Sequence, residues 1–280
     1  MESVDREKKK SPYKVQVLDR VLAILDALAA ERKDASVGEL AQALKLHKST
    51  VHRLLMILTH HRLVERDPQS GHYHLGLKLF ELGTVAIGRF NIRERARAHL
   101  QKLVYEVDET VHLCVLDAGE VLYLDKVEST RSIRMACSTG RRNPAHCTAV
   151  GKAILAHLSE REVDEILTRQ GMSRHTAKTI TTPAELKADL RSVRERGYSI
   201  DDEEVEEGVR CVGTAVLGHG GRPLAAISVS APSFRVTMEK VPLIAASLCR
   251  VARALSEESG YQGIWKPEQI EIPQLSAVGD

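Results

Sequence analysis

Three apolar stripes occupy the first sixty residues, and each has the spacing of one face of an α-helix. The first stripe runs from Val17 to Leu28, the second from Val37 to Leu44 and the third from Val51 to Leu58. Ser36 and Glu39 have the spacing of a capping box at the start of the second stripe. The pattern predicts three short helices with a tight turn between the second and the third.

A short element with period two follows the third helix. Leu63–Arg66 and His72–Leu75 have the alternation of strands, and Asp67–Gly71 between them is rich in turn-forming residues. Three helices and a hairpin indicate a winged helix-turn-helix. In such a module the third helix enters the major groove, and the wing touches the DNA backbone or the minor groove.

The rest of the chain alternates between helical and strand patterns, which predicts a second domain of the α+β class with helices outside a mainly antiparallel sheet. An apolar segment from Leu77 to about Arg89 predicts a linker helix. The other predicted elements are a helix from residue 92, strands at 111–116 and 121–124, a loop through 141–144, helices at 148–158 and 183–196, strands at 211–217 and 224–230, and a helix at 241–255. The predicted division is 1–75, a linker at 76–91, a second domain at 92–262 and a tail at 263–280.

Composition narrows the class of protein. A chain of 280 residues with 43% hydrophobic and 28% charged residues is typical of a soluble protein with two domains. No apolar run reaches the ~18 residues of a membrane helix, and the charged start has no signal-peptide pattern. Five cysteines form no paired framework. We therefore expect a cytoplasmic protein with free thiols and no membrane partner.

The formal net charge of +2 hides a local excess of positive charge. Residues 1–75 contain 13 basic and 10 acidic residues, so this part carries +3, while residues 76–280 carry −1. Residues 41–75 alone contain five basic side chains and two acidic ones. Such a patch can attract a phosphate backbone even when the whole chain is nearly neutral.

The third helix carries the candidate DNA contacts. With its apolar stripe turned inward, its outer side holds short donors, a histidine and two basic residues, which suit phosphates and base edges. The wing and the start of the second helix supply further candidates. The predicted DNA-binding residues are Ser36, Lys48, Ser49, Thr50, His52, Arg53, Gln69 and Ser70. The alternative is a small helical dimerisation domain with a solvated polar face.

The runs 36–41 and 46–55 resemble the DNA-binding domain of IclR-family transcriptional regulators, as do 63–67 and 73–76. The segment Lys48–Leu54 is a specific signal for that family. Lys45 stands where the family often has Gly, and His47 where it often has Pro. The resemblance implies a double-stranded DNA operator as a partner and repression as the default mode of action.

The resemblance continues through the second domain at 143–153, 198–211 and 226–232, so it covers nearly the whole chain in the expected order. It implies a GAF-like effector-binding domain that senses a small metabolite, and a linker helix that pairs two DNA-binding domains. A homodimer or homotetramer is therefore expected. Without the resemblance, the exposed apolar residues of the linker could equally pack on the second domain.

The family resemblance also implies a set of effector contacts. The positions that line the effector site in the family correspond to Met135, Asn143, Ala149, Val150, Asp201, Cys211, Ser228 and Ser230. Hydroxyls and a thiol near the start of a helix suit an organic or aromatic acid, because a helix N-terminus favours a carboxylate. In the ordinary alternative, the serines only decorate a strand and the cysteine fills the core.

Other chemistries leave weaker signals. A thiol-dependent enzyme could use Cys211 or Cys147 with a histidine, but no catalytic signature surrounds either residue. A metal-sensing regulator could use His146 and Cys147, but no C-x₂-C pair accompanies them. The glycines at 218–221 precede a strand, so a hairpin turn is predicted there, and most of the acidic run 201–207 is predicted to be a solvated loop. We expect a one-component regulator that is not an enzyme and needs neither a metal nor a cofactor.

Overall fold

The structure is a computed structural model that describes residues 15–31, 34–88, 92–132 and 138–263. Contacts between Cα atoms divide the chain into two compact units, Met1–Phe90 and Asn91–Asp280. Each unit has its own hydrophobic core, so each is considered separately.

The first unit is the winged helix-turn-helix that the apolar stripes predict. Residues of all three predicted helices form its core, with Ile24, Leu55 and Val64 fully buried. Tyr73 of the wing closes this core and exchanges two backbone hydrogen bonds with Ala35. The elements are α1 (Gln16–Glu31), α2 (Val37–Ala43), α3 (Lys48–His60), β1 (Val64–Arg66), β2 (Tyr73–Leu75) and α4 (Leu77–Gly88).

The helix-turn-helix joins α2 to α3 through a strained backbone. The capping box is present, since the Glu39 amide donates to the Ser36 hydroxyl at 3.2 Å and the Ser36 amide donates to the Glu39 carboxylate at 2.7 Å. In the turn, Lys45 has φ of 53°, a left-handed conformation that favours glycine. His47 precedes α3 without a side-chain capping bond. The departures at 45 and 47 therefore leave the turn intact.

The second unit is built on a six-stranded antiparallel sheet whose strands lie in the spatial order 142–144, 120–127, 110–117, 223–232, 209–217 and 199–202. Its strands come from distant parts of the sequence, so neighbouring side chains can lie more than 100 residues apart. The elements are α5 (Ile92–Val107), β3 (Thr110–Asp117), β4 (Glu120–Val127), β5 (Arg142–Pro144), α6 (Ala149–Leu155), α7 (Glu160–Gln170), α8 (Pro183–Arg196), β6 (Ser199–Asp202), β7 (Val209–Leu217), β8 (Pro223–Pro232) and α9 (Val241–Glu258).

Each face of this sheet packs on its own helices. Val212, Ile227 and Val229 face α5 and α9, and they belong to one core cluster. Ala215 and Ala226 face α6, α7 and α8, and they belong to a second cluster. Because successive strand residues point to opposite faces, the positions in step with Ala215 and Ala226 lie beneath α6. The α+β class predicted for this domain is confirmed.

Several predictions for the second unit were wrong. The 141–144 region contains β5 and is not a loop throughout, because its backbone pairs with β4. The helix predicted at 148–158 ends at Leu155. The run 201–207 is not mainly a solvated loop, because Asp201 belongs to β6 and both Asp201 and Glu204 are buried. The helix α7 was missed, although Ser159 and Glu162 form a capping box at its start.

Candidate functional site

The third helix separates an apolar face from an exposed polar one. Val51, Leu54 and Leu55 are buried, whereas the candidate DNA contacts on this helix are exposed, apart from the half-buried Thr50. Within the part of the chain that the structure describes, neither Lys48 nor Arg53 forms an ion pair. Both cations are thus available to phosphates or base edges.

The wing exposes polar groups at its tip, and its acidic side chains accept hydrogen bonds from nearby backbone amides. Gln69 and Ser70 are exposed at the tip, where both backbone amides donate to the Asp67 carboxylate at 2.7 and 3.2 Å. These bonds lower the pKa of Asp67. Glu65 accepts a hydrogen bond from the Leu77 amide at 3.1 Å. Both acidic side chains of the 41–75 region therefore have local hydrogen-bond partners, while Ser36 is engaged in the helix cap.

A second cluster of polar residues lies on the sheet face beneath α6. Strand pairing aligns Ser199, Gly213, Ser228 and His112 in one row that crosses four neighbouring strands. A second row, one step along the same strands, contains Asp201, Cys211, Ser230 and Thr110. Adjacent members of a row belong to strands about 4.8 Å apart, so the predicted residues Asp201, Cys211, Ser228 and Ser230 form one patch.

The start of α6 is seated on this patch. A Cβ atom at Gly213 would lie 2.9 Å from the carbonyl carbon of Ala149 and 3.1 Å from the Val150 nitrogen, so the absence of a side chain permits the close approach. The Ser199 hydroxyl donates to the Ala149 carbonyl at 2.6 Å. Ala149 and Val150 are thus brought against the rows of small polar residues.

A buried group of charges adjoins the patch. Lys152 is 1% exposed and contacts the carboxylates of Glu204 and of Asp189, the latter at 3.0 Å. Asp201 accepts a hydrogen bond from the Glu204 amide at 2.8 Å. Burial raises the pKa of Asp201 to about 7, although its backbone hydrogen bonds and the Lys152 charge oppose the increase. The Asp201 carboxyl can therefore hold a proton near neutral pH.

Sequence reasoning missed the histidine of this patch. His112 is 1% exposed and pairs with Ser228 across the sheet, and its ring packs edge-on against Tyr123 with centroids 5.3 Å apart. Asn143 Nδ2 donates to the Tyr123 hydroxyl at 3.4 Å, which links this predicted residue to the same region. The signal that could have found His112 is a polar residue inside an otherwise apolar strand pattern. Met135 lies outside the described residues.

Cys147 is poorly suited to thiol chemistry. Burial, and then the charges of Asp201 and Glu204, raise the pKa of Cys147 to about 12, which makes its thiol a poor nucleophile. Over the residues that the structure describes, no group of three or more His, Cys, Asp or Glu side chains is placed to hold a metal ion.

The helices of the described ranges are all too short or too polar to form a membrane span.

Two helices of the first unit expose large apolar side chains. Leu18 and Leu22 of α1 are 57% and 56% exposed, and Leu77 and Phe80 of α4 are 72% and 73% exposed. A monomeric protein rarely leaves extended apolar surface uncovered.

A winged helix-turn-helix joined to an α+β domain with a buried polar patch is the architecture of a transcriptional regulator that senses a ligand. Residues 17–68 match the family model of the IclR helix-turn-helix domain, and residues 84–257 match that of the bacterial transcriptional regulator IclR C-terminal domain. The chain belongs to the IclR family of transcriptional regulators.

Curated relatives agree along almost their whole length. The chain is similar to the HTH-type transcriptional regulator KdgR of Escherichia coli K12, with 37% identity over 90% of this chain and 95% of the relative. It is also similar to the transcriptional repressor IclR of the same strain, with 35% identity over 86% and 89%. The crystal structure of Thermotoga maritima IclR has a TM-score of 0.76 and 35% identity over 89% of this chain and 100% of that one.

These matches decide between the classes of function. The family and the relatives are transcriptional regulators and not enzymes, so the thiol-dependent enzyme alternative is wrong. The helix-turn-helix domain has an operator DNA as its partner, and the C-terminal domain has a small-molecule ligand.

Proposed function

We propose that this protein is a one-component repressor in which the exposed side of α3 reads an operator in the major groove. The observation that carries this proposal is the division of α3 into a buried apolar face and an outer face with two unpaired cations among the described residues. Lys48, Ser49, Thr50, His52 and Arg53 form the reading surface. Ser36, Gln69 and Ser70 contact the DNA backbone from α2 and from the wing. Curated relatives named as repressors support the sign of regulation.

We propose further that two or four copies of the chain associate, so that two winged modules meet one operator in the cytoplasm. The exposed side chains of α1 and α4 support this, because a second copy would cover them. In this scheme α4 acts as the linker at 76–91, between a DNA-binding domain at 1–75 and a sensor at 92–262. Sedimentation of the full-length chain as a monomer at working concentrations would contradict the association.

The proposed effector is an organic or aromatic acid that binds on the sheet face beneath α6. The two rows beside the contact at Gly213 carry small side chains, and their hydroxyls and thiol offer hydrogen bonds. Asn143, Ala149, Val150, Asp201, Cys211, Ser228 and Ser230 line this site in the proposal, and Met135 completes it. A protonated Asp201 would donate to the ligand and would not repel it.

The DNA-reading surface is tested by replacing Arg53. We expect Arg53→Ala to weaken binding to a duplex selected from a random pool by roughly tenfold to a hundredfold, the range for losing a specific base contact. The matched control is Arg161→Ala, which removes an 86% exposed arginine from α7. Fluorescence anisotropy at fixed salt measures both affinities. Equal affinities of the two variants would overturn the assignment of α3.

The effector class is tested by thermal unfolding of the full-length protein with a panel of small acids. A ligand at 100 times its dissociation constant should stabilise the native state by about 2.7 kcal/mol. Protection by neutral sugars and not by acids would contradict the acid class, while the DNA experiment would stand independently.

A further inference from the structure

His112 is a buried histidine whose ring has no hydrogen-bond partner within the described parts of the chain. Its side chain is 1% exposed, and neither ring nitrogen has a partner among the residues that the structure describes. Burial, and then the charge of Lys126, lower the pKa of His112 to about 4. The ring is therefore uncharged at neutral pH, with one nitrogen that donates and one that accepts.

Such an arrangement destabilises the fold, because a buried polar group has lost its bonds to water and has gained none from the residues that are described. A phenylalanine is somewhat larger, but its ring could keep the edge-on contact with Tyr123 and would carry no unpaired polar atom. The other deeply buried histidine differs, since His146 Nε2 is 3.2 Å from the Ser173 carbonyl. A position that tolerates an unsatisfied imidazole needs a reason beyond packing.

The surroundings of His112 supply that reason. Its row continues through Ser228 to Gly213, where α6 meets the sheet, and on its other side Tyr123 connects it to Asn143. A ligand lying over Ser228 would come within reach of the ring. The imidazole is therefore placed between two groups of the proposed effector site.

We infer that His112 is a ligand-binding residue which recognises a hydroxyl or carbonyl oxygen of the effector, and so selects oxygenated acids over simple carboxylic acids. The inference rests on the proposed effector site. A ligand hydroxyl can accept from the ring N–H or donate to the other ring nitrogen, and a ligand carbonyl can only accept from the N–H. Because the ring is neutral, it would not attract a second carboxylate of the ligand by charge. The preference for a hydroxyl or carbonyl oxygen therefore differs from a general attraction of anions.

Matched pairs of acids test this specificity on the full-length protein. The pairs are 4-hydroxybenzoate with benzoate, 4-hydroxybutyrate with butyrate, and 4-oxopentanoate with pentanoate, each measured by calorimetry. In the wild-type protein we expect at least one oxygenated acid to bind about tenfold more tightly than its partner, the effect of one hydrogen bond. We expect His112→Phe to reduce this ratio to near one and to change the affinity for the simple acid by less than about twofold.

Unfolding of the ligand-free variants distinguishes ligand recognition from a structural role. We expect His112→Phe to melt no lower than the wild type. The matched variant His146→Phe, which removes a partnered buried imidazole, should melt lower. His112→Gln is the second variant, and we expect it to keep part of the preference for the oxygenated acid.

Each other outcome is decisive. An unchanged ratio in His112→Phe, or equal binding of both members of every pair by the wild type, overturns the inference and leaves the effector site in place. Failure of both His112 variants to fold shows that the fold requires the imidazole and also overturns it. Absence of binding by every acid defeats the acid class and the inference together, whereas the Arg53 experiment still tests the regulator.

Discussion

The outer face of α3 and the sheet face beneath α6 are both polar, but they differ in burial and in origin. The α3 side chains are mostly exposed and come from a single stretch of six residues. The sheet face draws His112, Asp201 and Ser228 from three strands, and all three residues are at most 3% exposed.

This difference in burial determines how strongly polar residues on each surface indicate a binding partner. Exposed polar residues need no partner, because water satisfies them, so the polar face of α3 indicates DNA binding through its two unpaired cations and its place in a winged helix-turn-helix among the described residues. Buried polar groups without partners destabilise a fold by about 1–3 kcal/mol each. On the sheet face only His112 lacks a partner among the described residues, and its two buried ring nitrogens are the physical feature there that most favours a ligand.

The largest effect should follow from neutralising Asp201. Its pKa is about 7 in the folded chain and 3.8 in the reference state, so the native protein holds this proton over that interval while the unfolded chain releases it. Stability should therefore fall as pH rises from about 4 to 7. Asp201→Asn keeps the oxygen that accepts from the Glu204 amide, and should raise stability at pH 8 by up to about 4 kcal/mol, with no gain at pH 4.

Denaturant unfolding across this pH range measures the difference between variant and wild type. The control is Asp202→Asn at the neighbouring residue. Burial acts to raise the pKa of Asp202, but hydrogen bonds from Arg210 and Lys178 lower it overall. This control should lose stability at neutral pH. A loss of stability in Asp201→Asn at pH 8 would show that the ionised carboxylate is well satisfied in the patch.

A somewhat smaller effect is expected from filling the contact between α6 and the sheet. A methyl group at Gly213 would lie 2.9 Å from backbone of Ala149, so Gly213→Ala should destabilise the second unit by about 1–3 kcal/mol and weaken ligand protection. Gly83→Ala is the matched control in α4, where a Cβ meets nothing within 4 Å. Full ligand protection and unchanged melting in Gly213→Ala would show that the effector does not depend on this contact.

The smallest effect concerns the helix-turn-helix turn. Lys45 has φ of 53°, so Lys45→Gly should stabilise the DNA-binding unit by roughly 0.5–1 kcal/mol. Lys45→Ala is the control, because it removes the same charge and retains the Cβ. Chemical denaturation measures the free energy of unfolding of both variants. If the two variants are equally stable, the gain in stability comes from removing the charge and not from relieving the backbone.

The first unit could be predicted almost completely from sequence because its signals are local. The apolar stripe of α3, the capping box of α2 and the turn residues of the wing each lie within a dozen residues. Their spacing alone determines which side chains face inward. Helix ends were less predictable, as α6 shows, since packing on the sheet sets where its chain turns.

The polar patch beneath α6 could be predicted only through the family resemblance. His112 and Ser228 are 116 positions apart in sequence, and only the pairing of β3 with β8 brings them together. The short strands β5 and β6 were missed because three or four residues carry too little periodicity. The GAF-like description of the second domain, its boundaries and all individual site residues stay predictions.

The central claim is that a ligand on the sheet face controls DNA binding by α3. The direct test is release of a selected duplex from the full-length protein by an acid that protects it in thermal unfolding, measured by fluorescence anisotropy. We predict that the acid weakens DNA binding by the wild type, whereas a Ser228→Ala, Ser230→Ala double variant binds the same duplex normally and no longer responds. Equal responses of the two proteins to the acid would contradict the claim.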